Sequence, residues 1–383
     1  MHNVIYLDNN ATTQPLPEVV EAMLPYLRES YANPSSVHRF GQAIRHRVEC
    51  ARAEVTDLIG AGPNEIIFTS GGTESINLAI RGALAIHPAR RRILTTAVEH
   101  SAVLRGAEQL KAEGYTVDIV GVDHEGRLDE GEWQAKLSDQ TALATIMHAN
   151  NETGVVFDVA RLSAMAADCG VPVHVDAVQS AGKMPIDVSS WPAALVSISA
   201  HKFHGPKGIG ALYVRGRTRV TPLIVGGMQE RELRGGTENV SGIIGMGVAA
   251  KAAARDHKQV AGEVGRMRNR LESAVCASIL SARVNSRGAD RIYNTSNISF
   301  AGCDAEAILI LLSEAGICAS SGSACSSGSL EPSHVLKAMR IDERFAGCAI
   351  RFSLSRFNTV AEIDQVVATL PSLLSRLRVV HPA

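Results

Sequence analysis

Ser197-Ile-Ser-Ala-His-Lys-Phe-His-Gly-Pro-Lys-Gly-Ile-Gly210 leaves an apolar segment, passes a single lysine and enters a glycine-rich turn. Leu195 to Ser199 reads as a short buried strand, and Lys202 stands just beyond its end among hydroxyl and imidazole groups. A lysine held at the mouth of a strand can shed water, lose basicity and form a Schiff base with a carbonyl group. On its own, such a lysine is ordinarily solvated surface. Lys202 gains its meaning from residues that the same fold would carry to it.

Upstream, residues 66–69, 92–96, 117–120, 143–147 and 171–175 read as further strands, with helical patterns between most of them. Pro17 starts one helix, with Val19, Val20, Met23 and Leu27 at helical spacing. Ile44, Val48, Ala51, Val55 and Leu58 form the apolar face of another, which stops at Gly60 and which Ser35 or Ser36 is expected to cap. Alternating strands and helices imply an α/β fold: a mainly parallel, mixed sheet flanked by helices on both faces. Thr73, His100, Asn151, Asp176 and Lys202 each follow the carboxyl end of a predicted strand. Open α/β sheets bind ligands along that edge, so these five groups are expected to meet in one crevice.

Beyond about residue 254 the pattern changes to a charged helix (255–273), a strand (295–300), a helix (305–316), a loop, a helix (333–339), a strand (349–354) and a final helix. The expected division is a large domain over 16–256 and a smaller α+β domain made of 1–15 with 257–383. The smaller domain carries a Ser/Gly-rich loop at about 319–330.

The bulk composition narrows the function. A chain of 383 residues with 45% hydrophobic residues and a net charge of -1 has a sizeable core and no field to hold nucleic acid or an anionic membrane. No apolar run reaches the ~20 residues of a membrane span, and the first residues lack the pattern of a secretory signal. Seven cysteines without regular spacing do not suggest a disulfide framework, so a cytoplasmic location is expected.

Gly71-Gly72-Thr73 ahead of a helix is a candidate phosphate site, because glycine lets backbone approach and the helix start offers free N–H groups. Ser199 and His201 would add donors to the same phosphate. Asp176, at the end of an apolar strand, is a carboxylate in need of a cation, and a pyridinium nitrogen would satisfy it. Gln179 could reach a ring oxygen, and His100 could lie on a ring face or relay a proton. Taken singly, Asp176 is as well explained as a helix cap and His100 as a packed histidine. Together these are the parts of a pyridoxal-phosphate pocket: a Schiff-base lysine, a phosphate cup and an aspartate for the ring nitrogen. The second signal is Cys325 in Ala319-Ser-Ser-Gly-Ser-Ala-Cys-Ser-Ser-Gly328, a thiol with little apolar cover. Beside a cofactor that activates amino acids, such a thiol reads as a nucleophile.

The motifs Tyr6-Leu-Asp-Asn-Asn-Ala-Thr-Thr13, Asn33-Pro-Ser-Ser-Val-His38, Phe68-Thr-Ser-Gly-Gly-Thr-Glu74, Asn150-Asn-Glu-Thr-Gly154, His174-Val-Asp-Ala-Val-Gln179, Ser199-Ala-His-Lys202, Ser321-Gly-Ser-Ala-Cys-Ser326 and Arg351-Phe-Ser-Leu354 span nearly the whole chain. In them the sequence resembles the cysteine desulfurases of the class V aminotransferase family, which have the fold-type-I pyridoxal-phosphate architecture. The loop around Cys325 looks like the group I type, and Arg234-Gly-Gly-Thr-Glu-Asn239 like the NifS branch. The resemblance implies that Lys202 carries the cofactor, that Asp176 and Gln179 hold its ring, and that Gly72, Thr73, Ser199 and His201 hold its phosphate. It also implies that His100 stacks on the ring and moves protons, that Asn151 contacts cofactor and substrate, and that Arg351 clamps the substrate carboxylate. Thr237 would reach the phosphate of a second subunit, hence a homodimer.

The implied reaction converts L-cysteine to L-alanine and leaves the sulfur on Cys325 as a persulfide. An iron–sulfur scaffold of the NifU or IscU kind would then accept it. No metal site is implied in the chain alone, although Cys325 could transiently ligate a cluster with the scaffold. Ser326 stands where the family often has Thr, and the sequence ends without the longer tail by which housekeeping relatives engage their scaffold. Those departures bear on the partner rather than the chemistry. A transaminase of the same fold would have no need of Cys325, whereas a selenocysteine lyase could use the same pocket. A non-catalytic sulfur carrier would not need Lys202, Asp176 and His100 together.

Overall fold

The computed structural model describes residues 4–321 and 332–380. A short strand, β1 (Ile5–Tyr6), leads to helices α1 (Pro17–Arg28) and α2 (Arg39–Ile59). Pro17 occupies the first turn of α1, where its missing N–H costs nothing. The cap of α2 is neither Ser35 nor Ser36 but His38, whose Nδ1 accepts the Gly41 N–H at 3.1 Å. An imidazole nitrogen one residue before the helix does the work expected of a hydroxyl.

Strands and helices then alternate: β2 (Ile66–Thr69), α3 (Gly72–Leu84), β3 (Arg92–Thr96), α4 (Ser101–Ala112), β4 (Thr116–Val120), α5 (Glu130–Lys136), β5 (Thr141–Met147), α6 (Val159–Asp168), β6 (Val173–Asp176), β7 (Leu195–Ser199) and β8 (Gly210–Val214). Seven of these strands form one sheet in the order β2-β8-β7-β6-β5-β3-β4. Neighbours pair in parallel except around β8, which runs antiparallel to both β7 and β2. Every residue of β5, β6 and β7 is buried, as a sheet covered by helices on both faces requires. Because β8 reverses twice, β2 points the same way as the parallel strands. The carboxyl ends of β2, β3, β5, β6 and β7 therefore share one edge.

The expected break near residue 254 is bridged by a single 39-residue helix, α7 (Val240–Ser278), about 58 Å long at 1.5 Å per residue. The sheet's core takes Ile243, Ile244, Met246, Ala249 and Ala250 from its first half. Val264, Met267, Leu271 and Val275 from its second half enter a separate apolar cluster with Phe300, Ile308, Phe352 and Leu370. That cluster is built from β9 (Ala282–Val284), β10 (Thr295–Phe300), α8 (Ala305–Glu314), β11 (Ile317–Cys318), β12 (Ala349–Ser353) and α11 (Val360–Val380), with β1 returning to pair with β11. Between β11 and β12, α9 (His334–Ala338) and α10 (Glu343–Ala346) put Val335, Leu336 and Ala346 into the sheet's core instead. β9, β10 and β12 form an antiparallel sheet with β10 in the middle.

Candidate functional site

The shared sheet edge places the polar groups. Register sets Met147 against Asp176 and Asp176 against Ser197, so β5, β6 and β7 end nearly level. After β7 the chain takes one 3-10 turn, Ala200–Lys202, which lifts Lys202 over the edge. The polar turn 8–13 crosses the same edge. Its centre is the carbonyl oxygen of Asn10, which accepts Lys202 Nζ at 2.6 Å and Gln179 Nε2 at 2.9 Å. Lys202 Nζ also donates to Ala11 O at 2.9 Å. Lys202 and Gln179, from different strand ends, thus meet on one oxygen.

Asp176 lies beside them, 5% exposed, with Oδ1 accepting the Val178 N–H at 2.9 Å. Burial pushes its carboxyl above the ordinary aspartate range, while His100, the Val178 N–H and Lys202 pull the other way. His100 caps α4, its Nδ1 accepting the Ala102 N–H at 3.1 Å. Next to it Glu99 is wholly buried, and burial raises its carboxyl to about 8.

At the other end of the crevice, an open cavity of about 400 Å³ is lined by Gly71, Gly72, Thr73, Ser199, His201 and Lys207 with their neighbours. Gly71 has φ 153° and ψ -176°, a conformation open only to glycine. A Cβ on Gly72 would sit 2.8 Å from Val178 Cγ2, so the start of α3 fits against the turn after β6 only without a side chain. Ser199 Oγ is buried there without a hydrogen-bond partner among the described residues. His201 Nδ1 pairs with Thr12 Oγ1 at 3.1 Å, and burial with three nearby lysines lowers its imidazole to about 4.

Arg351 comes from β12. Its Nη2 pairs with Asp8 Oδ1 at 2.7 Å and its Nη1 donates to Asn151 O at 3.1 Å, while Nε is buried with no partner among the described residues. Asn151 O also receives Asn10 Nδ2 at 3.1 Å, and the Asn151 side chain takes no bond from a described residue. Thr237 is not brought to this crevice: it lies exposed on the segment before α7. Cys325 falls outside the described residues. The structure adds Asn10 and Lys183, which the sequence reading did not single out; Lys183 Nζ donates to Gln179 Oε1 at 3.1 Å. The signal for Asn10 was the polar run directly after β1, and for Lys183 its place four residues beyond Gln179.

The aminotransferase class-V family model matches residues 5–366. The chain belongs to the class-V aminotransferase family, among its cysteine desulfurases. It is 50% identical to a cysteine desulfurase of Trichormus azollae over 99% of this chain and 95% of that protein. A solved NifS-like protein superposes with a TM-score of 0.92 at 37% identity, over 98% of this chain and all of the other. A structure of SspA in complex with cysteine matches at a TM-score of 0.80 and 34% identity, over 93% of this chain and all of that one. The class-V architecture explains why the polar groups gather at the carboxyl edge of a sheet with one reversed strand. Among the described residues no helix is long and apolar enough to cross a membrane.

Proposed function

We propose that this crevice holds pyridoxal phosphate and converts L-cysteine to L-alanine, leaving the sulfur on Cys325. The observation that carries the reading is the meeting of Lys202 and Gln179 on Asn10 O, between a buried carboxylate and a glycine cradle. The residues fit the cofactor. Ser199 Oγ is a buried donor without a partner among the described residues, Gly72 leaves room where a Cβ would intrude, and Asp176 is a buried carboxyl that a cation would satisfy. Gly72, Thr73, Ser199 and His201 would hold the phosphate, Asp176 the ring nitrogen and Gln179 the ring oxygen, with His100 against the ring and Asn151 beside it.

Pyridoxal phosphate, when bound, supplies the electron sink that lets the Cα–H bond of an amino acid ionise. Lys202 would anchor the cofactor, and its Nζ, once free, would take the Cα proton of the substrate. Arg351 holds the substrate carboxylate with its planar fork, and His100 assists proton movement. The Cys325 thiolate attacks the substrate sulfur: an S–S bond forms as the Cβ–S bond breaks, and the carbon keeps the bonding pair and takes a proton on the way to alanine.

In this reading residues 16–256 bind the cofactor, and residues 1–15 with 257–383 carry the Cys325 loop; the separate apolar cluster around Phe300 and Phe352 supports the division. A homodimer would bring Thr237 to the phosphate of the second subunit. Leu223, Ile224, Val225 and Met228, exposed on the segment that leads to Thr237, support a covered face there. The persulfide would pass to an iron–sulfur scaffold in the cytoplasm.

The test is incubation of the protein with L-cysteine, measuring alanine and protein-bound sulfane sulfur together. Cys325→Ala is expected to keep the yellow cofactor and lose the bound sulfur. Release of sulfide by that variant at the parent rate, without added thiol, would remove Cys325 from the reaction. Lys202→Ala is expected to lose the borohydride-reducible linkage to the cofactor.

A further inference from the structure

Lys183 is a cationic side chain that none of these roles explains. It is 7% exposed and pairs with no carboxylate among the described residues; its Nζ donates to Gln179 Oε1 at 3.1 Å and to Asn10 Oδ1 at 3.5 Å. Burial, with the charges of Lys202 and Arg351, lowers its amine to about 7. An isolated ammonium in an interior is costly, so its retention calls for a reason.

Both of its acceptors belong to the groups that seat Lys202. Asn10 offers its carbonyl oxygen to Lys202 and its side-chain oxygen to Lys183. The Gln179 amide has one end that only accepts and one that only donates. The Lys183 ammonium can only donate, so it faces the Gln179 oxygen and Nε2 lies on the other side. There one N–H goes to Asn10 O at 2.9 Å and the second has no partner among the described residues.

We propose that Lys183 is a positioning residue: by donating to Gln179 Oε1 and Asn10 Oδ1 it fixes the Gln179 amide with its nitrogen towards the bound cofactor, and so sets the donor that the ring oxygen receives. The inference rests on the pyridoxal-phosphate reading above and deepens it. Without Lys183 the amide is held at one end only, by the N–H that Asn10 O accepts, and its plane can tilt so that the second N–H leaves the ring oxygen. Because the ring oxygen is part of the chromophore, the visible band reports the change directly.

The experiment is a double-substitution cycle on the full chain, with Lys183→Met and Gln179→Leu made singly and together. Three quantities are read: the dissociation constant for pyridoxal phosphate, the visible absorption band of the bound cofactor, and the melting temperature of the cofactor-free chain. Methionine keeps the volume of the stem without the ammonium. Lys183→Met is expected to weaken cofactor binding about tenfold and to shift the band in the direction that Gln179→Leu shifts it. In the Gln179→Leu background it should change affinity by less than about twofold, because the amide it acts through is gone. The cofactor-free chain should melt no lower, since the substitution removes a buried charge.

An unchanged band and affinity, or an equal loss in both backgrounds, would overturn the proposal. So would a fall in the melting temperature of the cofactor-free chain large enough to account for the loss. If Lys183→Met does not fold, Lys183→Gln is read in the same cycle, and failure of both to fold marks Lys183 as structural and also overturns it. A parent that does not bind pyridoxal phosphate would sink both readings; an additive cycle in a parent that binds it sinks this one alone.

Discussion

Lys202 Nζ rests 2.6 Å from the carbonyl oxygen of Asn10, a residue 192 positions away in sequence. The turn that carries Asn10 is pinned through its side chain: Nδ2 donates to Thr295 Oγ1 at 2.8 Å and to Asn151 O at 3.1 Å, and Oδ1 accepts Asn294 Nδ2 at 3.1 Å. Asn10→Ala removes these three hydrogen bonds, although Asn151 O keeps Arg351 Nη1, Asn294 Nδ2 keeps Leu354 O and Thr295 Oγ1 keeps Asn294 Oδ1, so the cost is about 0.5–1.5 kcal/mol for each bond lost. The expected outcome is lower stability of the cofactor-free chain in urea together with weaker retention of pyridoxal phosphate, because the seat of Lys202 loosens. A variant as stable and as tightly loaded as the parent would show that the turn is held by other means.

Arg351 is already engaged before substrate arrives, on Asp8 through Nη2 and on Asn151 O through Nη1. These contacts fix the plane of the guanidinium and leave its buried Nε–H with no partner among the described residues. Lysine retains the charge but cannot reproduce the fork. Arg351→Lys is therefore expected to raise KM for L-cysteine by about 10–100-fold, the value of one charge-assisted pair of bonds, with the cofactor band unchanged. Steady-state kinetics with a spectrum of the resting protein checks both halves. A normal KM would move carboxylate binding elsewhere.

The sheet was largely legible in the sequence because β5, β6 and β7 are short, wholly buried and bounded by polar turns. Asp176 and Lys202 could be placed for the same reason: each stands at or just past the end of an apolar run. Asn10 and Lys183 were harder, because their partners lie far off in the chain or are amide oxygens that any polar side chain could serve. The His38 cap escaped notice because nearby serines are the commoner choice. The continuity of α7 was obscured by a change of surroundings: the same helix is small and apolar where it crosses the sheet core and charged where it emerges.

The segment leading to Thr237 is tied to the sheet by a buried ion pair. Glu230, itself at φ 44°, accepts Arg52 Nη2 at 2.8 Å and Arg52 Nη1 at 2.9 Å, and takes the Phe68 N–H at 2.7 Å. Removing Glu230 leaves Arg52 with the half-exposed Glu49, Nε to Oε2 at 3.1 Å, and the Ile66 carbonyl, so the cost is about 2–3 kcal/mol, below that of a buried charge left with no partner. Glu230→Ala is expected to destabilise the chain by that order in urea unfolding. If Thr237 serves a second subunit, the variant should also lose cofactor in the dimer. A loss of under 1 kcal/mol, within the range of an exposed pair, would show that Arg52 finds water or another partner.

Acid should unfold the cofactor-free chain early. Burial lowers His174 to about 3 and His148, His201 and His204 to about 4, with neighbouring cations assisting for the last two. Unfolded histidine titrates near 6.5, so between about pH 6.5 and 4 the unfolded chain takes up four protons that the folded chain refuses, and stability falls as pH drops. Glu99, raised to about 8 by burial, and Glu152 and Asp176, raised in the same direction, act oppositely. Glu99 holds a proton in the folded chain that unfolding releases between about pH 4.5 and 8. Near pH 5.5 the four imidazoles outweigh Glu99, so unfolding there takes up protons on balance. Urea midpoints measured from about pH 6 down to 5, where unfolded imidazole is mostly protonated, should therefore fall. A midpoint that holds level or rises over that interval would mean that these imidazoles reach solvent or acquire acidic partners in the folded chain.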